Sequence, residues 1–518
     1  MKKSILIIGI IVSSLLCGNA YAQNVWDAYR LSQQFNEGTA RSVSMGNAVV
    51  ALGGDMGALS INPAGSAVYR YNEFVVTPEL TTANSNVIYL GNNQKDNRTK
   101  FGVSNFGYVH SFNTGRNGYG LVNWSFALAY NKTNNYTSRM SATGKTAESS
   151  WLAGLAQYTN GIYAPNMDMN SHNDPFYNSG APWTSILGWN TTLLDTLPDS
   201  DSYYIGATEN IVGTNIVPGG ELQQSYYKET SGNNAEIILN WGGNIANKLF
   251  IGVNLGVTSI WYRHSETYME KASNPSQFQT GFTSFKYNYN YTTAGTGFNL
   301  KAGVIYLPFK GMRLGASVST PTWMYLNDEY EEIMESNFSD GYSQRLLSPL
   351  GTYNYRLNTP FRWNLGAAYT FKQRAAISVD YENANYSKMK LIDDSYSAAF
   401  NEENDQIRKA FKSSHIVRAG AEVKINPSLA LRAGYQFYTS GNKYESQNIN
   451  IGSLGFGYAS PSGFFADLAY QQQLQKNTEE FQLYDDIVDE TNAIITAAPV
   501  GMKQHGIWRL LLSVGLRF

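Results

Sequence analysis

The sequence is poor in charge, holds a single cysteine and has no long apolar run after its first twenty residues. Its 38 Lys and Arg and 40 Asp and Glu make up 15% of 518 residues, whereas a soluble domain carries about 25% charged residues. A net charge of -2 leaves no basic surface for phosphates and argues against nucleic-acid binding. Without a second apolar run, a helical membrane protein is excluded.

Tyrosine and glycine are abundant instead, with 37 Tyr, 10 Trp and 47 Gly. A hydrophobic content of 43% also argues against disorder. Few charges, many tyrosines and dispersed apolar residues are typical of an outer-membrane β-barrel. The sequence therefore predicts an all-β transmembrane protein.

The first residues have the features of a secretory signal peptide. Lys2 and Lys3 precede an apolar run over 5–16, and Ala20-Tyr21-Ala22 forms a cleavage site before Gln23. We expect residues 1–22 to be removed and the chain to reach the outer membrane of a Gram-negative bacterium. The one cysteine, Cys17, lies in this segment, so disulfides and Cys-ligated metals are not expected in the mature chain.

Strict alternation of apolar and polar residues recurs along the chain and is clearest at its end. Trp508, Leu510, Leu512, Val514, Leu516 and Phe518 share one face, whereas Arg509, Ser513 and Arg517 share the other, with Leu511 as an apolar exception. Such alternation places one face on lipid and the other in the lumen. The pattern predicts 14 antiparallel strands, an even number as in bacterial barrels: 72–82, 101–111, 121–137, 232–245, 248–269, 283–308, 311–326, 352–372, 374–391, 414–426, 428–440, 448–460, 463–477 and 504–518.

Connections between these strands alternate in length. Tight turns at 246–247, 309–310, 372–374, 426–428 and 461–462 are expected on the periplasmic side, and longer loops outside. The longest loop spans 138–231, and an acidic loop is expected at 327–340.

Residues 23–71 do not alternate. They contain Gly46-Asn47 in a run of small residues and then Asn62-Pro63-Ala64-Gly65. Glycine and proline at this density favour short helices and turns. We expect a compact plug over 23–71 and a barrel over 72–518, although Asn62–Gly65 could also be a simple turn before the first strand.

The small-residue segment, the Asn62–Gly65 box, Thr359–Gly366, Leu431–Tyr435 and the terminal Phe518 resemble the FadL-type outer-membrane transporter family. Members carry long-chain fatty acids and aromatic hydrocarbons. The resemblance implies an N-terminal hatch that controls passage through Gly46, Asn47 and Asn62–Gly65, and passive uptake of a hydrophobic ligand from outside. It also implies an opening in the barrel wall where a strand is kinked, which no pattern in this sequence locates.

Two sets of residues are candidates for ligand binding. Basic residues exceed acidic ones at the inward positions, and Arg362, Arg418 and Arg432 could hold a ligand carboxylate. The alternative is that lumenal arginines pair with barrel carboxylates or with Asp27, Glu37 and Asp55 of the plug. Trp183 and Trp189 lie in an unusually apolar stretch of the longest loop, which is either a small loop core or a surface that collects ligand.

No enzyme, cofactor or metal motif is present in the sequence. The five histidines are scattered, and both a nucleophile elbow and a zinc motif are missing. Expected partners are a hydrophobic small molecule, outer-membrane lipid and lipopolysaccharide, and the barrel-assembly machinery, which would read Phe518, Leu516 and Trp508. A monomer is expected. The alternative function is a structural or surface-interaction barrel without transport.

Overall fold

The structure is a computed structural model, and it describes residues 25–116, 118–171, 173–372, 374–396, 398–445, 447–489 and 491–518. The expected signal peptide with Cys17 lies outside the described residues, as do His172 and Gln373.

The chain forms a closed, 14-stranded antiparallel barrel, which confirms the predicted fold class. Its strands are β1 Glu73–Tyr89, β2 Asn92–Asn113, β3 Leu121–Asn135, β4 Leu222–Ile245, β5 Leu249–Ala272, β6 Phe282–Tyr306, β7 Met312–Ser319 with Trp323–Phe338, β8 Gly351–Asn358 with Arg362–Phe371, β9 Ala375–Asn385, β10 Ser413–Lys424, β11 Leu429–Tyr438, β12 Ile449–Ala459, β13 Phe464–Gln473 with Asn477–Gln482, and β14 Val500–Arg517. The interruptions of β7 and β8 contain Pro321 and Pro360, which have no N–H for the ladder.

The barrel closes between β14 and β1, where Glu73 lies opposite Arg517. Asn72 and Phe518 then exchange two main-chain hydrogen bonds of 3.0 Å each. Leu510, Leu512 and Leu516 point outward and are exposed, whereas Arg509 and Ser513 point inward and are buried. The exception in the alternation, Leu511, is also inward.

Two polar segments expected to be loops are strands. Residues 83–100 complete a hairpin of β1 and β2, and 327–338 extend β7 beside β6. The ladders of strands that extend past the bilayer have no lipid on either face, so polar residues can occupy both faces. Apolar alternation therefore ends before the strands do.

The longest loop begins with one more strand, Ser138–Thr146, which follows β3. It continues with the helices Trp151–Thr159, Pro175–Asn178 and Trp183–Asn190, and with short strands at Leu194–Thr196, Tyr204–Gly206, Glu209–Val212 and Asn215–Pro218. Smaller pieces of the outer loops are Ser343–Leu347, Lys390–Ile392, the helix Asn401–Ala410, Ile487–Val488 and Ile494–Thr496. No helix among the described residues is long and apolar enough to cross a membrane.

Residues 25–71, hereafter the lumenal segment, form the helices Val25–Ser32 and Ala40–Ser44 and 3-10 turns at Gly57–Ser60 and Pro63–Val68. Irregular backbone inside a barrel leaves carbonyls that need donors. Inward asparagines supply them: Asn131 donates to the Met56 carbonyl at 3.0 Å, and Asn254 to the Leu59 carbonyl at 2.7 Å. Leu511 packs on Ala40 and Val43 of the same segment. The lumenal segment is therefore bound to the inner wall.

Candidate functional site: a gap in the barrel wall above a lumenal chamber

The ladder between β2 and β3 covers only part of their lengths. It joins Asn105–Asn113 to Asn123–Asn131. Above it, within the described residues, 92–104 form ladder pairs with β1 alone, and 138–146 pair with β4 alone. The wall is therefore open between β2 and the continuation of β3.

A change of direction in β3 causes this gap. The register with β4 shifts between Lys132 and Asn134, and the strand ends at Asn135. At the same height Gly232 of β4 has a φ of 114° and lies against Trp261, where an added Cβ would be 1.9 Å from a carbonyl oxygen. Only glycine fits such a position. Ser138–Thr146 then crosses the inner face of β1, where Ser85 donates to the Arg139 carbonyl at 2.6 Å.

The gap holds an open groove of ≈ 300 Å³. Its lining includes Gln94 from β2, Ser141 and Thr143 from the displaced strand, and Tyr227 from β4. Below this level β2 ends its apolar outward residues with Phe101, which is 75% exposed. Seven residues of β2, about 23 Å of extended strand, separate Phe101 from Gln94, so the groove lies above the apolar belt, towards the outer loops.

One cluster of charges spans the gap. Arg98 of β2 forms an ion pair with Glu229 of β4 and donates to the Thr230 carbonyl at 3.2 Å. Arg139 of the displaced strand donates to the same Glu229 carboxylate at 2.7 Å. Side chains, and not a main-chain ladder, connect the two edges here.

Two adjacent cavities lie on the inner side of the displaced strand, and together we name them the chamber. One is ≈ 380 Å³ and is lined by Met140, Tyr136 and Arg30 among others. The second is ≈ 320 Å³ and lies along the helix Val25–Ser32 towards β11–β13. Both contact the same four residues, Asn135, Glu479, His505 and Ile507. Met140 faces the chamber and Ser141 faces the groove, so one strand separates the two spaces.

The lumenal segment joins β3 at its bulge. Phe35 and Glu37 donate their main-chain N–H groups to the carbonyls of Thr133 and Lys132, each at 2.8 Å. The Glu37 side chain is fully buried and pairs with Lys132 at 3.1 Å and with Arg509 at 2.9 Å. The floor of the chamber and the kink of β3 are thus held by the same contacts.

The Asn62–Gly65 box lies against the wall formed by β4–β6. Asn62 is buried, donates to the carbonyls of Val50 at 2.7 Å and Val304 at 3.2 Å, and accepts from the Ala64 N–H at 3.0 Å. An inward Asn240 donates to the Pro63 carbonyl at 2.9 Å.

Gly46 and Asn47 both have positive φ, 62° and 53°. They lie close to Gly434 of β11, where an added Cβ would be 2.0 Å from the Gly46 nitrogen. A side chain there would displace the turn, and the Asn47 amide also donates to the Asn36 carbonyl at 2.7 Å. This turn is a second firm anchor of the lumenal segment.

The three candidate arginines are buried or nearly so, and each is paired. Arg362 and Arg418 share the Glu382 carboxylate at 2.7 and 2.5 Å. Arg362 also donates to the Ser32 carbonyl of the lumenal segment at 2.8 Å. Arg432 pairs with Glu422 at 2.6 Å and with Asp467 at 2.5 Å. Their positive charge is compensated by wall carboxylates, and none of the three lines the chamber.

The two candidate tryptophans are half-buried in the outer loops. Trp183 packs edge-to-face on Phe176 at 5.8 Å, and Trp189 donates to the Asp168 carboxylate at 2.7 Å. Both border an apolar loop core that includes Leu152, Ile186 and Phe285. The structure places them away from the chamber.

Sequence reasoning missed Lys132 and the wall gap. The outward alternation of Trp124, Phe126, Leu128 and Tyr130 would put Lys132 on lipid, where a charge is costly. A lysine at the next outward position was the available signal of a bulge, which turns its side chain into the barrel.

Comparison with known proteins agrees with this architecture. The profile of the family "Outer membrane protein transport protein (OMPP1/FadL/TodX)" matches residues 211–495. The Pseudomonas putida toluene transporter TodX is 15% identical and superposes with a TM-score of 0.51, over 94% of this chain and 100% of that one. A TodX mutant described as a monoaromatic hydrocarbon channel is 14% identical and gives a TM-score of 0.52, over 93% and 100%.

These superpositions show the barrel fold. No curated protein matches the sequence at a significant level. The family profile covers more than half of the chain, and the chain therefore belongs to the FadL/TodX family of outer membrane transport proteins.

Proposed function

We propose that this protein carries hydrophobic compounds passively into the cell through the groove and the chamber. The observation that supports this route is the displaced strand Ser138–Thr146, which has the groove on one side and the chamber on the other. In this route a ligand moves from the outer leaflet along β2, from Phe101 up to the groove beside Gln94. Residues 1–22 act as a cleaved export signal in this proposal, and the working unit is a monomer surrounded by lipid and lipopolysaccharide.

Release to the periplasm requires the lumenal segment to move. It blocks the lumen below the chamber, and its anchors are hydrogen bonds and ion pairs that a second arrangement could exchange. A ligand shifts such an equilibrium only through unequal affinity for the two arrangements. Occupation of the chamber against Arg30 and Gln33 of the segment supplies that difference.

Filling the groove tests the route. We expect Ser141→Trp to reduce uptake of a radiolabelled hydrocarbon by whole cells to the level of cells that lack the protein, because the indole occupies the opening. Ser276→Trp in an exposed outer loop is the matched control and should transport normally. Normal uptake by Ser141→Trp at equal folded surface protein would contradict entry through the gap. If wild-type cells take up no more hydrocarbon than cells that lack the protein, the transport proposal is wrong and the alternative of a barrel without transport is favoured.

The Asn62–Gly65 box is proposed to hold the closed arrangement of the lumenal segment. Asn62→Ala removes the donor to the Val50 carbonyl of the lumenal segment and to the Val304 carbonyl of the wall, and Pro63→Ala frees one backbone angle. We expect the double variant to destabilise the closed arrangement by about 1–3 kcal/mol. The barrel should remain folded while hydrocarbon uptake per surface-exposed folded molecule changes. Uptake equal to wild type would make the box a turn and nothing more.

Phe518 is proposed as part of the signal read by the barrel-assembly machinery. Deleting it also removes two hydrogen bonds to Asn72, so Phe518→Ala, which keeps the backbone, separates the two roles. We expect both variants to lower the heat-modifiable folded fraction in the outer membrane. A normal folded fraction for Phe518→Ala would show that only the backbone closure matters.

A further inference from the structure

Many of the side chains that line the chamber are carboxamides, which a channel for purely apolar ligands does not require. These include Gln33, Gln34, Asn135, Gln447, Gln471 and Asn477. Gln471 and Asn477 are 5% and 6% exposed. Their amide nitrogens have no acceptor among the described residues, because the hydrogen bonds formed by the two side chains use their oxygens. Neither nitrogen is enclosed by protein atoms, so both remain accessible from the chamber and can donate to a ligand oxygen there.

The cations that line the chamber are already paired. Arg509 lies 2.9 Å from Glu37, Arg30 lies 2.5 Å from Asp27, and Lys503 lies 3.7 Å from Glu479. Lys228 similarly lies 3.9 Å from Glu266. A ligand carboxylate would have to compete with a resident carboxylate for each of them.

One carboxylate of the chamber has no cationic partner among the residues that the structure describes. Glu445, in the outer loop between β11 and β12, lines the chamber, and within the described part of the chain it accepts only a long hydrogen bond of 3.4 Å from Ser440. Burial raises the pKa of Glu445, and the neighbouring charge of Glu479 raises it further. Because each lining cation already has a carboxylate partner, the chamber offers no surplus positive charge to another anion.

An apolar surface completes the site. Phe35, Tyr438 and Ile451 lie on the chamber wall, with the rings of Phe35 and Tyr438 5.2 Å apart. The chamber thus offers unpaired amide donors beside an apolar surface and no unpaired cation among its described lining residues.

We infer that the chamber selects an uncharged amphiphile with hydroxyl or carbonyl groups, such as a fatty alcohol or a monoacylglycerol, over a fatty acid anion of the same chain length. The carboxamides hydrogen-bond the neutral head, and the aromatic and aliphatic wall takes the chain. This inference rests on the proposed route through the chamber and specifies which ligands it accepts.

The test uses the full chain in nanodiscs and a mixture of laurate and 1-monolauroylglycerol in equal amounts. Native mass spectrometry counts each ligand bound per protein. We expect a preference for the glyceride of at least about ten-fold, which is the effect of one or two well-placed hydrogen bonds. Equal binding, or a preference for laurate, overturns the inference.

Two variants separate hydrogen bonding from charge. Gln34→Leu with Gln471→Leu should abolish the preference by weakening glyceride binding, because two amide groups are lost. Glu445→Gln should raise laurate binding and leave glyceride binding unchanged. If both variants bind laurate and the glyceride in the same ratio as wild type, the inference is also overturned.

Dodecane uptake by whole cells, measured in parallel, reports on the proposed function itself. Wild-type uptake at background means that the transport route fails. Normal dodecane uptake together with equal binding of laurate and the glyceride means that transport stands and only the ligand selectivity is wrong. The two failures are therefore distinguishable.

Discussion

Glu382→Gln is expected to destabilise the folded barrel by about 3–5 kcal/mol, the range for removing one partner of a buried ion pair. Glu382 is 3% exposed and is the carboxylate that neutralises both Arg362 and Arg418. Without its charge two buried guanidinium groups remain uncompensated. The measurement is the urea midpoint of unfolding in lipid vesicles, followed by tryptophan fluorescence.

Glu335→Gln is the matched control for this prediction. Glu335 pairs with Arg345 at 3.0 Å between outer strands, where the arginine side chain is 60% exposed. Exposed pairs of this kind contribute about 0–1 kcal/mol, so its midpoint should stay close to wild type. Equal shifts for the two variants would mean that the Glu382 site is hydrated and that its charges are screened.

Glu382→Gln should also weaken the attachment of the lumenal segment. Arg362 holds the Ser32 carbonyl at the end of the helix Val25–Ser32, and Glu382 orients that guanidinium. The buried charges of this wall therefore position the lumenal segment. The sequence left open whether these arginines meet a ligand or a carboxylate, and the contacts favour the second role.

The barrel could be predicted because its physical cause is periodic. Lipid on one face and a filled lumen on the other impose alternation on every strand that crosses the bilayer, and the C-terminal strand shows this residue by residue. The interval of a predicted strand such as 428–440 therefore nearly matches Leu429–Tyr438. The outer ribbon of β1 and β2 escaped prediction because water lies on its outer face.

The site could not be predicted in the same way. The gap depends on where β3 stops pairing with β2. The alternation of apolar and polar residues indicates which face a residue occupies, but it does not identify the partner strand. The chamber depends on Gln and Asn side chains from Gln33, Asn135 and Asn477, which lie far apart in sequence and meet only when the barrel closes. The Asn62–Gly65 box was visible as a motif, but its bonds to Val50 and Val304 were not.

Leu512→Arg is expected to cost about 2–4 kcal/mol, the range for a cation on the lipid face near the bilayer midplane. Leu512 is 42% exposed on β14 and lies midway between the outward Trp508 and Leu516. Its neighbour across the ladder, Leu468 of β13, is also outward and apolar. The cost should appear as a lower urea midpoint in vesicles and a smaller heat-modifiable fraction.

The control for depth is Gln504→Arg on the same strand and the same face. Gln504 pairs with Asn86 and Thr478 in the polar part of the ladder above Trp508, where an added arginine costs about 0–1 kcal/mol. Ser513→Arg cannot serve as the inward control, because Ser513 is buried and accepts the Ala40 N–H at 2.8 Å. An arginine there would displace the lumenal segment. If Leu512→Arg and Gln504→Arg unfold at the same urea concentration, Leu512 does not face the hydrocarbon core and the register assigned to β14 is wrong.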